Sequence, residues 1–353
     1  MKVLEGKRVL VTGGTGSLGQ VLVRRLLGGE AGQPAKVIVF SRDEAKQHQM
    51  RVDYLERHSP TDEVIYSNFT RLLDFRIGDM RDVHAVAAVL RDADVVFNAA
   101  ALKQVPTCEY FPFEAVATNV GGAENIVRAI REHHLPVEVV VGISTDKACK
   151  PVNVMGMTKA IQERILIRAN LDCPQTRFVC VRYGNVLASR GSVIPLFIEQ
   201  IANGGPVTIT TRNMTRFFLS LDQAVDTIFA AVAGAGPGEI YIPRVPSARM
   251  TDVAAALIGD RHVEVAVTGI RPGEKTHEIL VSEEEGNRTV ARGDYYVIRP
   301  ILPELREASD QPVLGGEYCS ADDLMSVADC ARLLEGHGLR ADRLLRREGD
   351  LLR

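Results

Sequence analysis

Short rows of β-branched and aliphatic residues recur along the first half of the chain, each followed by a polar or glycine-rich stretch and then by apolar residues at helical spacing. Arg8-Val-Leu-Val-Thr12 opens the series, Gly13-Gly-Thr-Gly16-Ser-Leu-Gly19 follows, and Gln20-Val-Leu-Val-Arg-Arg-Leu-Leu27 continues it. The pattern predicts strand, tight turn and helix. Lys36-Val-Ile-Val-Phe40 predicts a second strand, ending at Ser41-Arg42-Asp43-Glu44 before a long polar helix to about Arg57. Further strands are predicted at Leu73–Ile77, Asp94–Asn98, Val137–Ile143 and Phe178–Arg182, with helices over Glu114 to about Glu132 and about Val154 to Ala169. Strands alternating with helices predict an α/β fold, a Rossmann-type doubly wound parallel sheet whose apolar strands are covered on both faces.

Beyond about residue 186 the rhythm becomes irregular, with Gly204-Gly205-Pro206, Gly236-Pro-Gly238 and Pro272-Gly273 as punctuation. We expect residues 1–185 to form a nucleotide-binding domain. Residues 186–353 are expected to form a smaller C-terminal substrate-binding lobe over the carboxyl ends of the strands, with segments returning to the first domain. The tail after about Ser320 reads as helical and turns basic at Arg340, Arg343, Arg346 and Arg347, as a solvated helix would.

Composition narrows the function classes. A formal net charge of −3 supplies no basic field for nucleic acid. No apolar run approaches the roughly 20 residues that a membrane helix needs. The N-terminus runs into a strand without a signal-peptide core, so a cytoplasmic protein is expected. The six cysteines form no C-x-x-C pair and read as free thiols of a reducing compartment. His133, His134 and His277 lack metal-ligand spacing, and no metal is expected.

Gly13, Gly16 and Gly19 lie between a strand and a helix, with Thr15, Ser17 and Leu18 interleaved. That is the context of a dinucleotide loop: glycine permits the turn and a close backbone approach, and the helix N-terminus favours a pyrophosphate. At the end of the second strand an Asp or Glu would hold a ribose 2′-hydroxyl. Here Ser41 and Arg42 come first and Lys46 follows a turn later, a set suited to a 2′-phosphate. NADP is therefore favoured, with NAD the alternative because Asp43 and Glu44 adjoin. Asp79, followed by Met80, reaches toward the adenine, and Ala99, Ala100 and Ala101 are small where the chain must pass the cofactor.

Thr12–Gly19, Ser41–Glu44, Ala99-Ala-Ala-Leu-Lys-Gln-Val-Pro106, Ser144-Thr-Asp-Lys-Ala148 and Arg182-Tyr-Gly-Asn-Val186 together resemble the extended short-chain dehydrogenase/reductases. More narrowly they resemble the UDP-N-acetylglucosamine 4,6-dehydratases of the polysaccharide-biosynthesis group. Ser189–Pro195, Met214–Phe217 and Arg271-Pro-Gly-Glu-Lys275 add to the match, which runs from about residue 7 to about 300. The resemblance implies oxidation at sugar C4, loss of water across C5–C6, and hydride return to C6, with a UDP-sugar as partner. It also implies homo-oligomers. Elimination needs a base at C5 and an acid for the departing 6-hydroxyl. By resemblance Lys147 is that base, Asp146 the acid, and Thr145 a hydrogen-bond partner of O4. Lys159 would hold the nicotinamide ribose. A basic lysine must be depressed by burial or nearby positive charge, and the oxidised nicotinamide and Lys159 are the expected sources. Met155 stands where the family usually has tyrosine; a thioether cannot relay the O4 proton, which leaves Asp146 or a water chain. Asn185, Arg216 and Arg271 match nucleotide- and phosphate-contacting positions, Glu274 a ribose-contacting one, and Lys103 is expected to line the sugar pocket. Two alternatives stay open, an epimerase acting at C5 or C4 and a non-catalytic NADP-binding protein.

Overall fold

The computed structural model describes residues 2–55, 69, 71–187, 192–306 and 311–339. The sequence rows become strands β1 (Arg8–Thr12), β2 (Lys36–Ser41), β3 (Leu73–Ile77), β4 (Val95–Asn98), β5 (Val139–Thr145) and β6 (Arg177–Tyr183). They pair in parallel in the order β3-β2-β1-β4-β5-β6. Successive side chains of a strand point to opposite faces, and here both faces are buried. Val9, Val11, Val37, Val39, Phe97, Val141 and Val181 belong to one apolar core. Leu10, Ile38, Phe40, Val96, Val140 and Phe178 belong to another on the opposite face. That two-sided burial is why β1, β2, β4, β5 and β6 read as apolar rows, whereas β3, at the sheet edge, alternates Asp74 and Arg76 with apolar residues.

Helix α1 (Ser17–Leu27) covers the first face with Leu22, Val23 and Leu26. The polar helix α2 (Glu44–Leu55) follows β2; its expected continuation to Arg57 lies outside the described residues. Helix α3 (Val83–Leu90), which the sequence reading did not anticipate, packs Val86 and Leu90 on the second face beside Ile126 and Ile130 of α4 (Gly122–His133) and Leu166 of α5 (Val154–Asp172). The helix expected over 114–132 is interrupted. Pro112–Ala115 is α-helical, Val116–Gly121 is a π-turn, and α4 then runs to a left-handed cap at His134.

Residues past 186 do two things. Some extend the sheet: helix α6 (Leu221–Gly234) packs Val225 and Ile228 into the first core, and β7 (Ile240–Pro243) then pairs parallel to β6. The antiparallel hairpin of β8 (Thr289–Arg292) and β9 (Tyr295–Ile298) completes a nine-stranded sheet among the described residues. The others build a separate small core from helices Val193–Ala202, Met250–Ile258 and Val327–Gly336, with Phe197, Ile198, Leu257 and Leu334 inside it. The strand Thr215–Leu219 joins Asn185–Val186 and Ser247–Arg249 in a three-stranded sheet beside that core. The basic residues from Arg340 onward, and Ser189 to Gly191, lie outside the described residues. Among the described residues no helix is long and apolar enough to cross a membrane.

Candidate active site

The strand order reverses between β1 and β4, and a ligand crevice is expected outside the carboxyl ends of strands at such a point. A cleft of about 720 Å³ lies there. At one end it is lined by Gly13, Thr15, Gly16, Ser17 and Leu18. The loop needs its glycines: Gly13 has φ +65°, and a Cβ there would lie 2.8 Å from the Ala100 backbone. Helix α1 begins at Gly16 with no side-chain cap, so its first-turn N–H groups are left for an anion. Ser41, Arg42 and Lys46, then Asp79 and Met80, line the adjoining wall. The Ser41 hydroxyl accepts from Gln47 Nε2 at 2.9 Å, and Arg42 lies 3.7 Å from Asp79. Hydrogen bonding from Arg81, opposed by burial, holds Asp79 below the usual carboxylate range. Ala99, Ala100 and Ala101 form the floor between the two ends. The residues at this end fit a dinucleotide.

At the other end Lys103, Thr145, Lys147, Met155, Lys159 and Asn185 line the cleft. Strand β5 delivers Thr145 to a single 3₁₀ turn, Asp146–Ala148. Asp146 Oδ1 accepts from Thr145 Oγ1 at 2.8 Å and from Lys147 Nζ at 3.0 Å. The Asp146 side chain is wholly buried, behind the lining rather than part of it, and its Oδ2 has no partner among the described residues. Lys147 keeps about a fifth of its side chain exposed.

The charge state of Lys147 differs from the sequence expectation. Burial by itself would lower it, but the Asp146 carboxylate and then Glu278 outweigh that effect and hold the ammonium above its ordinary value, with Arg216 opposing them. Lys159 behaves in the opposite way. Burial brings it down to about 8, with Cys180 and Glu163 opposing, and its Nζ donates to the Ile143 carbonyl at 2.8 Å and to Gln162 Oε1 at 2.9 Å. Lys103 is lowered by burial alone. Met155 packs with Cys108 and Ala115 while still touching the cleft.

Three expected substrate contacts lie outside the cleft lining: Arg216, Arg271 and Glu274. Arg216 is buried and its Nη atoms donate to the carbonyls of Thr215, Lys275 and Thr276. Arg271 and Glu274 close a turn on each other, and the Gly273 carbonyl of that turn accepts from Asn153, the N-cap of α5, at 2.7 Å.

Sequence reasoning missed Thr118, Tyr183 and Glu278. Thr118 reaches the cleft from the π-turn, and its hydroxyl is buried without a partner among the described residues. Tyr183, at the end of β6, lines the cleft with its phenol pushed up by burial. Glu278 is buried with Oε1 3.5 Å from Lys147 Nζ and 3.7 Å from Arg216 Nε. The Arg182-Tyr-Gly-Asn motif could have pointed to Tyr183; no local signal pointed to the other two. Among the described residues no cluster of three or more His, Cys, Asp or Glu is placed to hold a metal.

A nucleotide loop at the switch point, with a Thr-Asp-Lys turn and a helical lysine at the far end of one cleft, defines an extended short-chain dehydrogenase/reductase. The chain belongs to the polysaccharide biosynthesis protein family, whose model matches residues 9–300. It is 40% identical over 311 residues to a UDP-N-acetylglucosamine 4,6-dehydratase (inverting) of Campylobacter jejuni strain 81-176, covering 87% of each chain. It is 43% identical over 298 residues to a UDP-glucose 4-epimerase of Rickettsia canadensis, covering 83% of this chain and 82% of the relative. The X-ray structure of Pen from Bacillus thuringiensis superposes with a TM-score of 0.83 at 31% identity, covering 95% of this chain and 99% of that one.

Proposed function

We propose that this protein is an NADP-dependent UDP-N-acetylglucosamine 4,6-dehydratase that inverts C5, the course named for its Campylobacter relative. The observation that carries the reading is the Asp146–Lys147 pair, with Nζ 3.0 Å from Oδ1 beside the cleft. Epimerisation at C4 needs only hydride removal and return. Elimination needs an acid and a base together, and this pair offers both. Moving one proton from Nζ to Oδ1 leaves a neutral amine to take the C5 proton and a carboxylic acid to protonate the departing 6-hydroxyl, with the charge of the pair unchanged. Thr145, bonded to the same Oδ1, is positioned by resemblance for O4, whose proton leaves through a water chain when C4 is oxidised. A bound NADP+, held by the Gly13–Leu18 loop with Ser41 and Arg42, would supply the hydride acceptor for C4 and the hydride donor for C6. Arg42 at the cleft wall supports NADP over NAD.

Arg271 and Glu274 enter this reading as nucleotide contacts made when the 271–274 turn meets the UDP group. Six free thiols suit a reducing, cytoplasmic setting. Exposed Tyr110, Phe111 and Phe113 support a homo-oligomer.

The test is incubation with UDP-N-acetylglucosamine in D2O, read by mass spectrometry and proton NMR. A product lighter by one water, with deuterium at C5, is expected, and Lys147→Ala should abolish it. A product of unchanged mass with altered configuration at C4 would favour the epimerase reading, which the Rickettsia relative motivates. Undiminished water loss in the alanine variant would remove Lys147 from the mechanism.

A further inference from the structure

Lys147 has two carboxylate neighbours, and only one of them lies beside it in sequence. Glu278 comes from 131 residues away and brings Oε1 to 3.5 Å from Nζ. It is firmly held there. Its backbone N–H donates to Ser320 Oγ at 2.9 Å, and its carbonyl accepts from Ser320 N–H at 2.8 Å. Ser320 Oγ is in turn hydrogen-bonded to Thr215 Oγ1 at 2.7 Å, which also meets His277 Nδ1 at 2.8 Å. Two residues on, the Leu280 carbonyl accepts from the buried Arg182 at 2.8 Å. Glu278 is 2% exposed and its second oxygen has no partner among the described residues. A buried carboxylate oxygen without a hydrogen-bond partner is costly, and its retention calls for an explanation.

Resting on the dehydratase reading, we propose that Glu278 is a positioning residue for Lys147, holding its ammonium in line with Asp146 and setting the pH at which the pair loses its shared proton to solvent. The charged groups around the pair are few. Asp146 lies on the same turn as Lys147, Arg216 comes from the Thr215–Leu219 strand, and Lys275 precedes Glu278 in its own segment. Lys159, from α5, is turned to the Ile143 carbonyl, and Tyr183 stands at the end of β6. Burial raises Glu278, Lys147 opposes that and Asp146 adds to it. When the proton passes from Lys147 Nζ to Asp146 Oδ1, the N–H bond breaks, the O–H bond forms and the lone pair remains on nitrogen. Glu278 then faces a neutral amine and retains Arg216, 3.7 Å from the same oxygen, as its counter-charge. The carboxylate has a cation beside it on both sides of the transfer, and the resting state in which Lys147 is protonated is the one it favours.

The test uses the cofactor-loaded protein and two readouts. The first is the pH profile of kcat/KM for water loss from UDP-N-acetylglucosamine. Activity should fall as the Lys147–Asp146 pair loses its shared proton to solvent, and Glu278→Gln, which keeps an acceptor oxygen but removes the charge, should move that alkaline limb about one to three pH units toward acid. Glu278→Asp, which restores the charge, should bring it back toward the wild-type position. Glu278→Met removes the charge without a polar end and serves if the Gln variant fails to fold, as judged by melting and NADP binding. The second readout is competitive trace acetylation of Lys147 across pH, followed by peptide mass spectrometry, which titrates the amine whether or not the protein turns over. The same acidward shift is expected there. A folded charge-removing variant whose limb and labelling midpoint both stay at the wild-type pH would overturn the proposal. Absence of water loss in the wild-type protein, with the labelling midpoint still shifted, would overturn the dehydratase reading and leave the Lys147–Glu278 linkage standing.

Discussion

Gly156, in the first turn of α5, packs against the Asp146–Ala148 turn more closely than any side chain would allow. A Cβ there would lie 2.1 Å from the Lys147 carbonyl oxygen and 2.9 Å from its carbonyl carbon. Real Cβ atoms stay beyond 3.0 Å of such atoms, so in Gly156→Ala either the Lys147 carbonyl or the helix must retreat by roughly 1 Å, a misplacement that can cost on the order of 10²-fold in rate. Both routes disturb the chemistry. Moving the carbonyl shifts the turn that holds Nζ 3.0 Å from Asp146, and moving the helix carries Met155 and Lys159 away from the cleft. Alanine is the better helix former by about 1 kcal/mol, so local propensity works against the expected loss, and overpacking should cost about 1–3 kcal/mol of stability. The expected outcome is a kcat for water loss, read by mass spectrometry, about a hundredfold below wild type in a variant that still folds and binds NADP. A folded variant with kcat within threefold of wild type would refute the claim that this contact sets the geometry of the pair.

Three further outcomes follow from the same structure. Arg42→Ala should weaken NADP(H) binding about tenfold or more in fluorescence titration while leaving NAD(H) little changed; equal losses would remove Arg42 from the 2′-phosphate. Arg182→Met should destabilise the fold by about 3–5 kcal/mol in urea unfolding, because it strips the cation from Glu163 and Glu285, both buried within 3.0 Å of its guanidinium; a loss below 1 kcal/mol would contradict that. Lys159 sits at about 8 in the fold against an ordinary 10.5. Between those values the unfolded chain binds the extra proton, so the group's contribution to stability rises with pH. The difference in unfolding free energy between wild type and Lys159→Met should grow by on the order of 3 kcal/mol across that window, and a flat difference would count against the burial of a neutral amine.

Strands β1, β2, β4, β5 and β6 were legible because each is a largely apolar row buried on both faces, and β3, at the sheet edge, because Asp74 and Arg76 alternate with apolar residues. The same rule hid other elements. Helix α3, Val-His-Ala-Val-Ala-Ala-Val-Leu, carries one polar residue in eight and so shows no amphipathic period. Strand β7 has four residues and ends in proline, and the β8–β9 hairpin reaches the sheet only through a partner strand that is itself hard to read. The π-turn at Val116–Gly121 leaves no trace in a helical pattern, yet it sets where Thr118 meets the cleft.

The two ends of the cleft divide along the same physical line. The nucleotide end is local: Gly13, Gly16 and the start of α1 are one strand–turn–helix, and Ser41, Arg42 and Lys46 are one strand end. Its lining could be read because sequence neighbours are spatial neighbours there. At the far end, the identities of Thr145, Asp146 and Lys147 were readable, but their charge state was not. The sequence implied a lysine lowered by nearby positive charge. In the fold the lysine meets two carboxylates, and the second, Glu278, reaches it across 131 residues through Ser320 and Thr215. Met155 follows the same logic. Its thioether marked a missing proton relay in sequence, while the structure shows it closing an apolar patch with Cys108 and Ala115 against the cleft. Lys147 and Asp146 are themselves largely buried, and in such surroundings a proton shared between adjacent groups responds strongly to one further charge. Glu278, which no local signal marked, therefore weighs on the charge of a turn whose residues the motif did mark.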